Sequence, residues 1–227
     1  MKKLQYWLVP SILLATFVIW TVLVKVVDIH YIGAAGFLGF YSFNTQINDF
    51  VQSMNTKPFD LLTDVMMFAT LSTIIPFAIV GFIQLIKRKD LKKVDSILYI
   101  ILAAYVAFVV LYFAFEIVKI NYSPLSTEED LKASYPSSHV MIFIIMGGVA
   151  IMGLLHYVKM NKTLKIVINS LFVVLTFLMA GLRLFSGQHY FTDIIGGLLI
   201  SFTVLTAISS LRKYIEENQK EENNENE

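Results

Sequence analysis

Residues 96–118 read SILYIILAAYVAFVVLYFAFEIV. No charge interrupts the run before Glu116, and about 20 apolar residues are what a helix needs to cross the hydrocarbon of a bilayer. The run is continuously apolar and does not alternate with period two, so a strand of a barrel does not fit it. An isolated strand in lipid would leave its backbone groups unpaired. Further runs of this kind lie near residues 7–27, 62–86, 138–158, 164–184 and 191–211. The sequence therefore predicts an all-α, polytopic membrane protein, a bundle of six transmembrane helices forming one domain over residues 1–215. Residues 216–227 are Glu, Asn, Gln and Lys with no apolar content, which predicts a disordered cytoplasmic tail.

Composition agrees. Of 227 residues, 56% are hydrophobic and 15% charged, and the mean hydropathy is +0.67, too apolar for an ordinary soluble domain. A net charge of +1 supplies no basic field for nucleic acid. The absence of cysteine excludes disulfides, thiolate metal sites and Cys nucleophiles, and nothing in the composition implies a cofactor. The first run follows Met1-Lys2-Lys3 and has the outline of a signal peptide, but its length fits a retained helix. Ala34-Ala35-Gly36 lies beyond it without making a convincing cleavage site.

The basic residues set the expected orientation. One side collects Lys2, Lys3, Lys87, Arg88, Lys89, Lys92, Lys93, Lys159, Lys162, Lys165, Arg212, Lys213 and Lys220, while the other has only Lys57, Lys119, Lys132 and Arg183, with Lys25 near the boundary. The positive-inside rule then places both termini in the cytoplasm and the loops 28–61, 119–137 and 184–190 outside. The first of these carries Gly33, Gly36 and Gly39 at intervals of three, and is expected to be a flexible amphipathic stretch along the interface.

Polar and ionisable side chains are costly at membrane depth and mark function there. Two clusters fall at the predicted outer face. In Tyr135-Pro136-Ser137-Ser138-His139, Pro136 suits a helix start, Ser137 or Ser138 a cap, and the free N–H groups of the first turn an anion site. The second runs from Gly181 to Asp193. Arg183 offers a charged fork for phosphate oxygens. Asp193 follows His189 by four residues, so a helix beginning near His189 sets the carboxylate against one ring nitrogen and leaves the other nucleophilic.

The order Pro136-Ser137-x-His139, then Arg183, five residues, His189, three residues and Asp193, with Gly196 and Gly197 following, resembles the second and third signature motifs of the type 2 phosphatidic acid phosphatase superfamily of membrane lipid phosphatases. The resemblance implies a fold of six transmembrane helices and a lipid phosphate as substrate. It implies His189 as the nucleophile of a phosphohistidine intermediate, Asp193 as its orienting partner and His139 as general acid and then base. Arg183, Ser137 and Ser138 would clamp the phosphate, and no metal is implied. The family's first motif, Lys, six residues, Arg-Pro, is degenerate here. Aligned on Pro124, Ser123 stands where the Arg belongs and Glu116 where the Lys belongs, with Lys119 one turn further on as a substitute cation. The expected consequence is a weaker anion site.

Hydrolysis of a phospholipid or polyprenyl phosphate or diphosphate is the first reading. The alternatives are transfer of a phospho-headgroup from a phosphodiester lipid, as in sphingomyelin-synthase-like relatives, and non-catalytic lipid binding or transport. Transport is disfavoured because no paired broken helices or inverted repeat is evident. Taken singly, the motif residues also have bland readings, as helix caps and interfacial anchors. His30 and His156 stand alone near helix ends, and the four histidines lack metal-ligand spacing. Asp60 and Asp64 are expected to complement the dipole of the second helix, with a pocket role for Asp64 the lesser reading.

Overall fold

The computed structural model describes residues 2–33 and 36–225; Met1, Ala34, Ala35, Asn226 and Glu227 lie outside the described residues. A short α1 (Lys2–Gln5) precedes α2 (Leu8–Val26). A hairpin of β1 (His30–Ile32) and β2 (Gly36–Leu38) and then α3 (Tyr41–Gln52) follow. The remaining elements are α4 (Lys57–Ser72), α5 (Ile74–Arg88), a 3-10 turn at Leu91–Lys93, α6 (Ser96–Val118), α7 (Ser138–Tyr157), α8 (Lys162–Phe185) and α9 (Phe191–Glu225). With α4 and α5 counted as one span, six helices among the described residues are long and apolar enough to cross a membrane. The chain is an all-α membrane bundle.

The bundle is built around α7, which packs against α4, α6, α8 and α9. Its sequence is apolar on every face for that reason, and Val140, Met141, Ile144, Ile145 and Val149 are buried. The surrounding helices turn large apolar side chains outward, among them Phe68, Phe82, Val110 and Phe177. That exposure would be costly in water and suits hydrocarbon. Pro10 falls in the first turn of α2, where its missing N–H costs nothing. Pro76 sits deep in the second span and has no N–H for the carbonyl of Ser72, so the helix breaks at Thr73. There Thr73 N and Oγ1 donate to the Thr70 carbonyl at 3.1 and 2.6 Å.

Two expectations are corrected. The segment after α2 folds into regular elements and is not a flexible stretch. The hairpin and α3 form a cap over one end of the bundle, with Gly33 at φ +60 in the hairpin turn. The predicted disordered tail continues α9 as helix as far as Glu225. At a rise of ~1.5 Å per residue, 35 residues outrun the hydrocarbon thickness. Glu, Gln and Lys are good helix formers and extend a helix already nucleated by packing. Arg212 Nε binds Glu216 Oε1 at 2.7 Å, and the Tyr6 hydroxyl donates to the Glu217 carboxylate.

At the opposite end from the cap, Asp95 ties α5, α6 and α7 together. It accepts from Arg88 Nη1 at 2.8 Å, Gln84 Nε2 at 2.7 Å and the Tyr157 hydroxyl at 3.0 Å. Burial pushes its carboxyl upward, but these donors outweigh burial and hold it below the usual carboxylate range.

Candidate active site

Under the cap, the loop between α6 and α7 doubles back on itself. Tyr122 bridges Ala133, Ser123 N donates to the Lys132 carbonyl at 2.9 Å, and Ser134 N donates to the Asn121 carbonyl at 3.1 Å. Tyr135 is buried between Phe17 and Phe115, with its hydroxyl 2.7 Å from Thr21 Oγ1. Gly196 is a glycine because a Cβ there would lie 2.3 Å from the Tyr135 ring. Burial, eased by the Thr21 bond, pushes the Tyr135 phenol upward, so this residue is a neutral anchor.

The α7 turn departs from the expected cap. Pro136 precedes the N-cap instead of opening the helix, and the N-cap, Ser137, makes no side-chain cap bond. The first helical bond of α7 runs from Met141 N to the Ser137 carbonyl, so the amides of Ser138, His139 and Val140 have no acceptor in the helix. Ser137 Oγ is buried and unpaired. The result is an N-terminus whose donors nothing among the described residues satisfies, an arrangement suited to an anion.

Arg183 lies in the last turn of α8 and is 6% exposed. The chain then turns through Gly187, at φ +71, where a Cβ would also meet Gln52 Nε2 at 2.6 Å. His189 falls two residues before α9, so the helical spacing argument for His189 and Asp193 does not apply. They meet because Asp193 Oδ2 accepts from Tyr190 N at 3.0 Å, the backward half of a capping box. This brings Oδ2 to 3.8 Å from His189 Nδ1, an ion-pair distance longer than a hydrogen bond. Burial, reinforced by the Asp193 charge, pushes the Tyr190 phenol up to about 12.

A buried polar network stands behind Asp193. Asn121 Nδ2 donates to Asp193 Oδ1 at 3.0 Å, and Asn121 Oδ1 accepts from Gly39 N at 3.2 Å. Asn44 Nδ2 donates to the Gly39 carbonyl at 2.8 Å and to Thr192 Oγ1 at 2.9 Å. Asn44, Asn121, Thr192 and Asp193 are each 0% exposed. Sequence reasoning missed both asparagines, since a single Asn in a polar loop carries no distinguishing pattern.

Asp60 lies in the first turn of α4, as a dipole partner should, but both carboxylates also reach the site, Asp64 in the pocket role that was the lesser reading. Asp64 Oδ1 is 2.9 Å from His139 Nε2, and Asp60 Oδ1 accepts from Arg183 Nη1 at 2.7 Å. Their four-residue spacing on a helix start was the legible signal. Both Arg183 and His189 lie within electrostatic reach of the His139 ring. Ser134 Oγ, His139 Nδ1, Arg183 Nε and His189 Nδ1 are buried and unpaired, as Ser137 Oγ is.

Ser138 joins His189 and Glu116 in lining one small cleft. The two degenerate positions thus sit at the site: Glu116 in that cleft, and Ser123 with its Oγ donating to the Gln188 carbonyl at 3.1 Å. Lys119 does not join them. It is the exposed, left-handed C-cap of α6 and makes no ion pair among the described residues, with Glu116 or any other group. Lys132 pairs with Asp130 at 3.0 Å in the exposed part of the loop. Among the described residues, no three His, Asp or Glu side chains converge to hold a metal ion.

These features define a polytopic membrane protein with a two-histidine polar site at one end of its bundle. Residues 115–217 match the model of the PAP2 superfamily. The fold is similar to the crystal structure of a transmembrane PAP2-type phosphatidylglycerolphosphate phosphatase from Bacillus subtilis. That match has a TM-score of 0.66 and 17% identity, and covers 91% of this chain and 96% of that one. No curated protein sequence gives a significant match.

Proposed function

We propose that this protein is a membrane lipid-phosphate phosphatase that works through a phosphohistidine on His189 and requires no metal. The observation that carries the reading is the gathering of Arg183, His139 and His189 beside the unsatisfied amides of α7. His189 attacks phosphorus with Nε2, the nitrogen remote from Asp193. The P–N bond forms, the P–O bond to the lipid breaks, and His139 gives the leaving oxygen its proton. Water then attacks phosphorus and passes a proton to His139, the P–N bond breaks, and phosphate departs. Arg183, Ser137, Ser138 and the first-turn amides stabilise the charge on the phosphoryl oxygens. The direct test is chemical trapping. Protein in detergent with chelator, quenched during turnover of ³²P-labelled phosphatidic acid, should carry acid-labile, base-stable label on His189. Label elsewhere, or turnover that chelator abolishes, sinks this mechanism.

An apolar groove of about 700 Å³ supports a lipid substrate. It is lined by Leu62 and Met66 of α4, Phe143, Gly147 and Ala150 of α7, and Phe172 and Leu178 of α8. Phe143 lies one turn beyond His139 on α7, so the groove begins about one helical turn from the polar site. Filling it with Ala150→Trp should lower turnover of a long-chain lipid phosphate about tenfold relative to a short-chain, water-soluble one. An unchanged ratio would place the lipid tail elsewhere.

A second reading, transfer of a phospho-headgroup between phosphodiesters, is favoured by one observation. Asp60, Asp64, Asp193 and Glu116 offset the cations of the site, which suits a singly charged phosphate better than a dianion. The distribution of Lys and Arg supports cytoplasmic termini and a site facing the outer side.

A further inference from the structure

The reaction above assigns a part to Arg183, His139, His189 and Asp193, but none to the two carboxylates that reach the same place from α4. Asp60 holds Arg183 by one nitrogen only, Nη1, which also donates to Thr63 Oγ1 at 3.3 Å. Gln188 Nε2 lies 3.5 Å from the other Asp60 oxygen. Asp64 meets His139 at Nε2 alone. The atoms left over matter as much as those engaged: Arg183 Nε and His139 Nδ1 are both buried and unpaired. A guanidinium fixed at Nη1 retains its side-on edge of Nε and Nη2, the pair of donors that takes two phosphate oxygens at once. An imidazole whose Nε2 faces a carboxylate keeps a proton there, so exchange with substrate falls to Nδ1.

We propose that Asp60 and Asp64 are positioning residues of the phosphoryl-transfer site. Asp60 presents the Nε edge of Arg183 to the phosphate, and Asp64 commits His139 to acid–base work through Nδ1. The proposal rests on the phosphatase reading. In the first half-reaction the doubly protonated His139 gives its Nδ1 proton to the leaving lipid oxygen as the P–O bond breaks and the bond to His189 forms. The ring is then neutral, with its remaining proton on Nε2 toward Asp64. In the second, water attacks phosphorus, its proton goes to Nδ1, and the bond to His189 breaks. Asp64 stabilises the protonated ring and takes up no proton itself, so the cycle closes with one water consumed and one phosphate released.

The test compares wild type with Asp64→Asn, which preserves shape, on dioleoyl phosphatidic acid and on p-nitrophenyl phosphate in detergent. Nitrophenolate leaves without a proton, whereas lipid oxygen does not. Asp64→Asn should therefore lose about 100-fold in kcat on the lipid. On p-nitrophenyl phosphate it should release one nitrophenolate per enzyme in a fast burst before slow turnover, because attack by water still needs the base. Asp64→Glu should recover part of the lipid activity, and Asp60→Ala should act chiefly on KM, raising it about tenfold. Near wild-type lipid turnover in Asp64→Asn overturns the proposal. So does an equal loss on both substrates without a burst, with a lowered Tm, which is the mark of a merely structural contact. Full turnover surviving in His189→Ala overturns the phosphohistidine reading and this proposal with it, and so separates the two failures.

Discussion

His189→Ala is expected to reduce phosphate release from phosphatidic acid by at least about a thousandfold while leaving the folded protein intact. Two structural facts separate the chemical effect from a structural one. The His189 ring makes no hydrogen bond among the described residues, and buried Nδ1 has only the 3.8 Å approach of Asp193 Oδ2. Asp193 does not depend on the ring, because its two oxygens are already satisfied by Tyr190 N and Asn121 Nδ2, each at 3.0 Å. Removing the imidazole therefore strands no carboxylate, and the capping of α9 survives. The measurement is the initial rate in detergent with chelator, beside a thermal melt of the same preparation. A rate within about tenfold of wild type would remove His189 from the role of nucleophile.

Gly39→Ala should be the most damaging single methyl group in the chain. A Cβ at Gly39 would lie 1.7 Å from the carbonyl oxygen of Val24 and 2.8 Å from its carbon. Val24 is 0% exposed in the last turn of α2. Backbone cannot swing aside as a side-chain tip can, so relief requires the cap to lift away from α2. Lifting breaks the bonds from Gly39 N to Asn121 and from Asn44 to the Gly39 carbonyl, and these hold the network behind Asp193. The expected result is a stability loss of about 3 kcal/mol, read as a lower Tm, together with a fall in activity at temperatures where the protein remains folded. Gly181→Ala is the matched control. It lies in α8 with nothing within 4 Å of its Cβ position, and should be neutral or stabilising by up to ~1 kcal/mol through helix propensity. Equal Tm values for Gly39→Ala and wild type would show that the cap does not depend on this close approach.

The membrane spans were legible because a single physical quantity, apolar length against bilayer thickness, determines them. Residues 96–118 were read with both bounds as observed, and the other spans to within a few residues at most bounds, α9 excepted. The motif spacing was legible too, and it pointed to the family whose model matches residues 115–217. Less visible was how the motif side chains are held. The four-residue spacing of His189 and Asp193 points to a shared helical face. In the structure their meeting depends instead on a capping bond and on the Gly187 turn. Lys119 is near enough in sequence to replace a missing cation, yet the left-handed end of α6 leaves it exposed.

Local pattern and hydropathy alone determined a six-span helical bundle, the position of the Pro136 to His139 turn and the cluster from Arg183 to Asp193, because each depends on residues close together in the chain. Only the tertiary structure decided that Asp60 would engage Arg183, Asp64 would engage His139, and Asn44 and Asn121 would stand behind Asp193. The hydrogen bonds that do this join residues 123, 75, 148 and 72 positions apart. Hydrogen bonding across such distances depends on which helix faces pack together, and no local periodicity encodes that.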